Sequence, residues 1–145
     1  MSLSIEHLQH TADTLAQAIL HLQKTPAEDK VLYDLFRNSA IKSFELSLET
    51  TGKLLRKALK LYVGSPREVD RWVFNDLFRH ACKHGLLSEQ EVERWLDYRA
   101  NRNTTAHDYG ELFAEQTLAI LPAYLTDLRT LAERMQEVFN ATATD

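Results

Sequence analysis

Arg102, His107 and Tyr109 set a strong base, an imidazole and a phenol inside the run Arg102-Asn103-Thr104-Thr105-Ala106-His107-Asp108-Tyr109-Gly110. No other stretch of the chain gathers as many chemically able side chains beside an expected break in regular structure. A guanidinium can grip two phosphate oxygens at once and does not lose its charge. An imidazole titrates near neutral pH, so it can take or give a proton during a transfer step. Together these groups suit work on a phosphodiester without a metal ion or other cofactor. Arg102 and His107 are the catalytic candidates, and Asn103 and Arg99 are the candidates for supporting them.

An arginine followed five positions later by a histidine is a weak pattern alone, and Arg79 and His84 repeat it. Five residues of continuous helix turn about 500°, which leaves the ends roughly 140° apart around the axis. Arg79 and His84 read as interior to a helix and should diverge. Arg102 and His107 flank Asn103-Thr104-Thr105, poor helix formers whose side chains compete for backbone hydrogen bonds. A break there would let both groups face one cleft. Arg94, Tyr98 and Arg102 share a helix face, and Lys53, Arg56, Lys57 and Lys60 form a second basic run that most often means a solvated face.

The elements that must position these groups are helical. Ser2 or Ser4 can cap a first helix with Ile5, Leu8, Ala12, Leu15, Ile19 and Leu22 on one face. Pro26 marks the first break, and a long helix is expected from Asp29 to Tyr62, with Val31, Leu35, Ile41, Phe44, Leu48, Leu55, Leu59 and Tyr62 as its apolar stripe. Thr50-Thr51-Gly52 is its weak point. A third helix starts at Ser65-Pro66 and runs through Trp72 and Leu77 to Gly85. Ser88 and Glu91 form a capping box for a fourth helix that ends near Arg102. The last helix starts near Gly110 and carries Phe113, Tyr124, Leu128 and Met135; Pro122 should kink or split it, and the tail from Ala141 should fray. No strand alternation is present. The expected fold is all-α: an antiparallel, up-and-down four-helix bundle with one additional shorter helix, forming a single domain over residues 1–145.

Composition narrows the function. The 17 basic and 21 acidic residues give a net charge of -4, which argues against binding nucleic acid by charge alone. The single cysteine, Cys82, cannot form an internal disulfide, and no signal peptide or membrane-length apolar run is visible, so the cytoplasm is the expected compartment. His80 and His84 lie one turn apart, yet two histidines need a third ligand and none is evident, so no metal is expected. Trp72 and Trp95 read as core or dimer interface, and Glu45, beside the apolar stripe of the long helix, as the partner of an arginine.

Arg102-Asn103 followed by His107-x-Tyr109, between two helices of a small bundle, resembles the HEPN superfamily, in the branch encoded beside minimal nucleotidyltransferases and labelled nucleotidyltransferase substrate-binding subunits. Ile41-Lys42-Ser43-Phe44-Glu45-Leu46 and Pro122-x-Tyr124-Leu125 resemble that branch as well, so the likeness covers most of the chain. The resemblance implies a homodimer whose two motifs meet at the interface as a metal-independent endoribonuclease toxin. Arg102 would hold the scissile phosphate and His107 would assist attack by the adjacent 2′-hydroxyl of an RNA substrate. It also implies a nucleotidyltransferase partner, encoded by an adjacent gene, that silences the toxin by adenylylating Tyr109. The competing expectations are a non-catalytic subunit that positions a substrate for the nucleotidyltransferase, and a helical dimerisation module without chemistry.

Overall fold

Ser4 accepts a hydrogen bond from the Glu6 amide at 3.1 Å and opens the first helix, α1 (Glu6–Lys24). The computed structural model of the chain describes residues 4–26, 28–107 and 111–143, and the side chains of 103–113 and 143 are outside that description. Ser2, the other candidate cap, lies outside the described residues. Five further helices follow among the described residues: α2 (Lys30–Lys60), α3 (Pro66–Arg71), α4 (Phe74–Lys83), α5 (Glu89–His107) and α6 (Glu111–Ala143). Among the described residues there is no strand, and no helix is long and apolar enough to cross a membrane.

The four long helices alternate in direction. Asp13 of α1 pairs with Arg129 of α6, and His21 of α1 stacks on Phe36 of α2. Arg94 and Glu91 of α5 pair with Asp127 and Arg134 of α6, and Ser47 of α2 meets Tyr124 of α6. By that register α1 and α5 run one way and α2 and α6 the other. The last turns of α5 and the first turns of α2 and α6 therefore lie at the same end of the bundle.

Apolar spacing accounts for the core. Leu8, Leu15, Phe44, Leu48, Leu55, Leu59, Leu128, Leu131 and Met135 are all fully buried, each worth on the order of 2 kcal/mol in transfer free energy. An aromatic cluster joins four helices: Phe78 lies 5.1 Å from Trp95, which meets Tyr98 and Tyr124 edge-on at 5.5 and 5.6 Å, and Phe44 meets Tyr124 at 4.8 Å.

Five places bear on the sequence pattern, and four of them depart from it. First, the expected third helix is two. Trp72 and Val73 are extended, and Arg56 donates to the Val69 and Trp72 carbonyls at 2.6 and 2.9 Å, which satisfies the acceptors at the end of α3. The Asp76 carboxylate accepts from the Val73 amide and starts α4. The break lets Trp72 fold back onto the His80 ring, with centroids 3.6 Å apart. Second, and in agreement with the expected long helix, α2 runs unbroken through the weak point Thr50-Thr51-Gly52, where the Thr51 hydroxyl bonds the Ser47 carbonyl. The bare glycine there admits the Phe74 ring, to which a Cβ would come within 3.4 Å.

Third, Val31 and Leu35 are 81% and 59% exposed, because Tyr33 and Arg37 are the α2 residues that face α6 at this level. Fourth, α6 is one helix across Pro122 and continues to Ala143. The proline ring removes one donor from the ladder, and burial of Leu121 and Tyr124 on either side outweighs the loss. Fifth, α5 continues through His107, well beyond Arg102. Elsewhere the punctuation is as expected: Gly85, at φ +81°, closes α4 with a Leu86 N–H to Ala81 carbonyl bond. Ser88 and Glu91 exchange the two bonds of the capping box at 3.0 and 3.1 Å.

Candidate functional site

Arg102 sits toward the C-terminal end of α5, 29% exposed, with its Nε 3.3 Å from the Glu45 carboxylate of α2. Glu45 thus has the arginine partner that its position beside the apolar stripe implied. One residue earlier, Asn101 accepts a hydrogen bond at 2.9 Å from the buried Thr117 hydroxyl of α6. These two contacts tie the end of α5 to both flanking helices. They explain why Asn103-Thr104-Thr105 does not break it: three poor helix formers together cost about 1–2 kcal/mol in propensity, and tertiary anchoring offsets that.

The continuity changes the geometry expected of the motif. A regular helix through position 107 places the backbone positions 102 and 107 about 140° apart around the axis and about 7.5 Å apart along it. The side chains of Asn103 and His107 are outside the described residues, as is Tyr109 with the whole 108–110 connection. Arg99, the other supporting candidate, has its guanidinium 4.9 Å above the Phe74 ring of α4.

The other basic side chains that the sequence singled out are largely engaged within the chain. Arg94 meets both oxygens of Asp127 at 2.9 Å, and the Tyr98 hydroxyl donates to the same carboxylate at 2.5 Å. Burial alone would push the Asp127 carboxyl up, but the bonds from Arg94 and Tyr98 hold it below the usual carboxylate range. Burial and the bond to Asp127 push the Tyr98 phenol well above its ordinary value. This trio is a fixed charge pair with a neutral phenol, which joins α5 to α6 and has no proton to trade near neutrality. In the basic run of α2, Arg56 caps α3, Lys60 meets Asp70 at 2.7 Å and Lys53 meets Glu49 at 3.4 Å. The rings of His80 and His84 stack on Trp72 and Tyr62. Among the described residues no three side chains are grouped to hold a metal ion.

The sequence reading missed Asp127 and the Glu91–Arg134 pair, in which Arg134 lies 2.9 Å from the carboxylate and donates to the Leu86 carbonyl. A signal was available for Asp127. It stands between Tyr124 and Leu128 on the buried stripe of α6, where an acid must find a partner.

The sequence from residue 10 to 137 matches the model of the family described as nucleotidyltransferase substrate binding protein like. The chain belongs to that family. It lies in the nucleotidyltransferase-associated branch of HEPN proteins. A Haemophilus influenzae protein named as a probable ribonuclease, HepT, is 24% identical over 110 residues, covering 76% of this family member and 74% of that protein. A solved Haemophilus influenzae structure, described as the fold of a substrate binding domain of a nucleotidyltransferase, superposes with a TM-score of 0.79 at 22% identity, covering 92% of this chain and 99% of that one. A Thermus thermophilus structure superposes with a TM-score of 0.62 at 23% identity, covering 83% and 98%. At such identities the two structures establish a shared fold.

Proposed function

We propose that this protein is the HEPN subunit of a HEPN–nucleotidyltransferase pair and, as a homodimer, a metal-independent endoribonuclease toxin. The observation that carries the reading is the placement of Arg102, held by Glu45 near the end of the same helix that terminates in His107. Arg102 grips the scissile phosphate. His107 takes the proton of the neighbouring 2′-hydroxyl, whose oxygen bonds to phosphorus as the bond to the 5′-oxygen breaks. The departing 5′-oxygen takes up a proton from water, and the RNA is left with a 2′,3′-cyclic phosphate and a 5′-hydroxyl. Positions 102 and 107 diverge on one helix, so Arg102 of one copy works with His107 of a second across a twofold axis.

The nucleotidyltransferase partner opposes this activity by transferring AMP to Tyr109, which adds bulk and negative charge beside the phosphate site. A second reading, a non-catalytic substrate-binding subunit of a two-component nucleotidyltransferase, is favoured by one observation. Glu45 already occupies part of the Arg102 guanidinium, and an incoming phosphate must compete with it.

The test is cleavage of transfer, messenger and ribosomal RNA by the purified chain with EDTA present, with the ends of the products identified. Wild type is expected to leave cyclic phosphates, and His107→Ala to fall by at least about a hundredfold. If wild type cuts nothing and its expression is harmless, the binding-subunit reading holds instead. With the partner and ATP, the chain should gain one or more AMP units, absent in Tyr109→Phe.

A further inference from the structure

At the end of the bundle that carries the motif, the first turns of α2 and α6 enclose a cavity of about 220 Å³. Tyr33, Asp34 and Arg37 line it from α2, and Glu115 and Leu118 from α6, with Lys30 at its edge. Among the described residues the Nε of Arg37 is buried without a hydrogen-bond partner, while its Nη2 meets Asp34 at 3.4 Å. A buried guanidinium N–H with its donor capacity unused is a costly feature that a native fold rarely keeps without a use.

Charge decides which ligand suits the cavity. Lys30 and Arg37 are balanced by Asp34 and Glu115, so the lining carries strong donors and strong acceptors but no net charge. A phosphate would face two carboxylates there. A neutral ring with donors and acceptors along one edge meets complementary groups, an aromatic wall in Tyr33 and an apolar contact in Leu118. That is how proteins read the unpaired bases of single-stranded RNA. Guanine fits best, since it offers two adjacent N–H donors to a carboxylate and its O6 to a guanidinium. Arg37 and Glu45 are eight residues apart on α2, about 12 Å along the axis, so a strand gripped at Arg102 reaches the cavity within a few nucleotides.

We infer that this cavity is a nucleobase pocket, selective for guanine, which reads the RNA strand beside the cut. The identity of the ligand rests on the ribonuclease reading, and the test separates the two. Fluorescence anisotropy of the full chain is measured with labelled 2′-O-methyl hexanucleotides, which lack the attacking hydroxyl and cannot be cut. One is all uridine, one carries a single guanine, and one carries inosine in its place. The guanine strand is expected to bind at least about tenfold tighter than the uridine strand, with inosine between them. Arg37→Ala, and separately Asp34→Asn at an exposed side chain that cannot unfold the bundle, should bring the strands within about twofold of each other.

Equal binding of all three strands by wild type, or a guanine preference that survives both variants, overturns the pocket. Guanosine monophosphate, titrated against the Tyr33 and Leu118 NMR signals, tells the two readings apart. Saturable, Arg37-dependent shifts from a chain that cuts no RNA sustain the pocket and remove the nuclease. Cleavage without base preference and without such shifts does the reverse.

Discussion

The two halves of α5 treat the same residue types in opposite ways. In the first half Glu91, Arg94 and Tyr98 each find their complement on α6, in Arg134 and Asp127, and every strong bond is internal. In the second half Arg102 meets the Glu45 carboxylate on α2, and the helix runs on to His107 at the end of the bundle. The first half uses charge to fix the register of two helices. The second holds a half-buried charge in place near the end of the helix. A guanidinium alone therefore says little about function, and the place on the helix at which it is held says more.

The contrast can be broken most severely at Asp127. Asp127→Ala leaves Arg94 and the buried Tyr98 hydroxyl without their acceptor and should cost about 2–3 kcal/mol, below the value for a wholly buried pair because Arg94 is 46% exposed. The melting temperature should fall by about 5–10 °C. The folded pKa values of Asp127 and Glu91 are depressed, so the stability they add is present above the unfolded carboxylate range and is lost as pH falls through their folded values. Urea unfolding should show a decline below about pH 4 that is shallower in Asp127→Asn.

Tyr124→Phe is next, at about 1 kcal/mol, because it strips the buried Ser47 hydroxyl of its 2.6 Å partner. Chemical denaturation measures that loss. Glu45→Gln should cost less than about 1 kcal/mol, since both members of the pair are partly exposed. It should nevertheless lower RNA cleavage by loosening Arg102, and unaltered kinetics would place Glu45 among purely structural pairs. The smallest effect is at His80, where desolvation and the nearby Lys83 lower the imidazole pKa from 6.5. NMR titration should find its midpoint below that of a free histidine.

Much of this was legible in the residues. The stripes of α1 and α6, the capping box at Ser88 and the pairing of Glu45 with an arginine follow from spacing and from the cost of burying charge. What was not legible depended on contacts distant in sequence. Arg56 divides α3 from α4 by satisfying carbonyls thirteen and sixteen residues away. Asn101 and Arg102 carry α5 through three poor helix formers by bonding to α6 and α2. Local propensity contains neither effect. The motif residues stood out by type, while the helical continuity that separates positions 102 and 107 did not.

The proposed function makes each chain half of a site, and mixed dimers test that proposal most directly. Arg102→Ala and His107→Ala chains, each inactive alone, are co-expressed with different tags and the mixed dimer is purified. If Arg102 of one copy serves His107 of the other, one of the two sites is whole, and about half the wild-type cleavage rate should return. A mixed dimer as inactive as either parent would contradict the shared site.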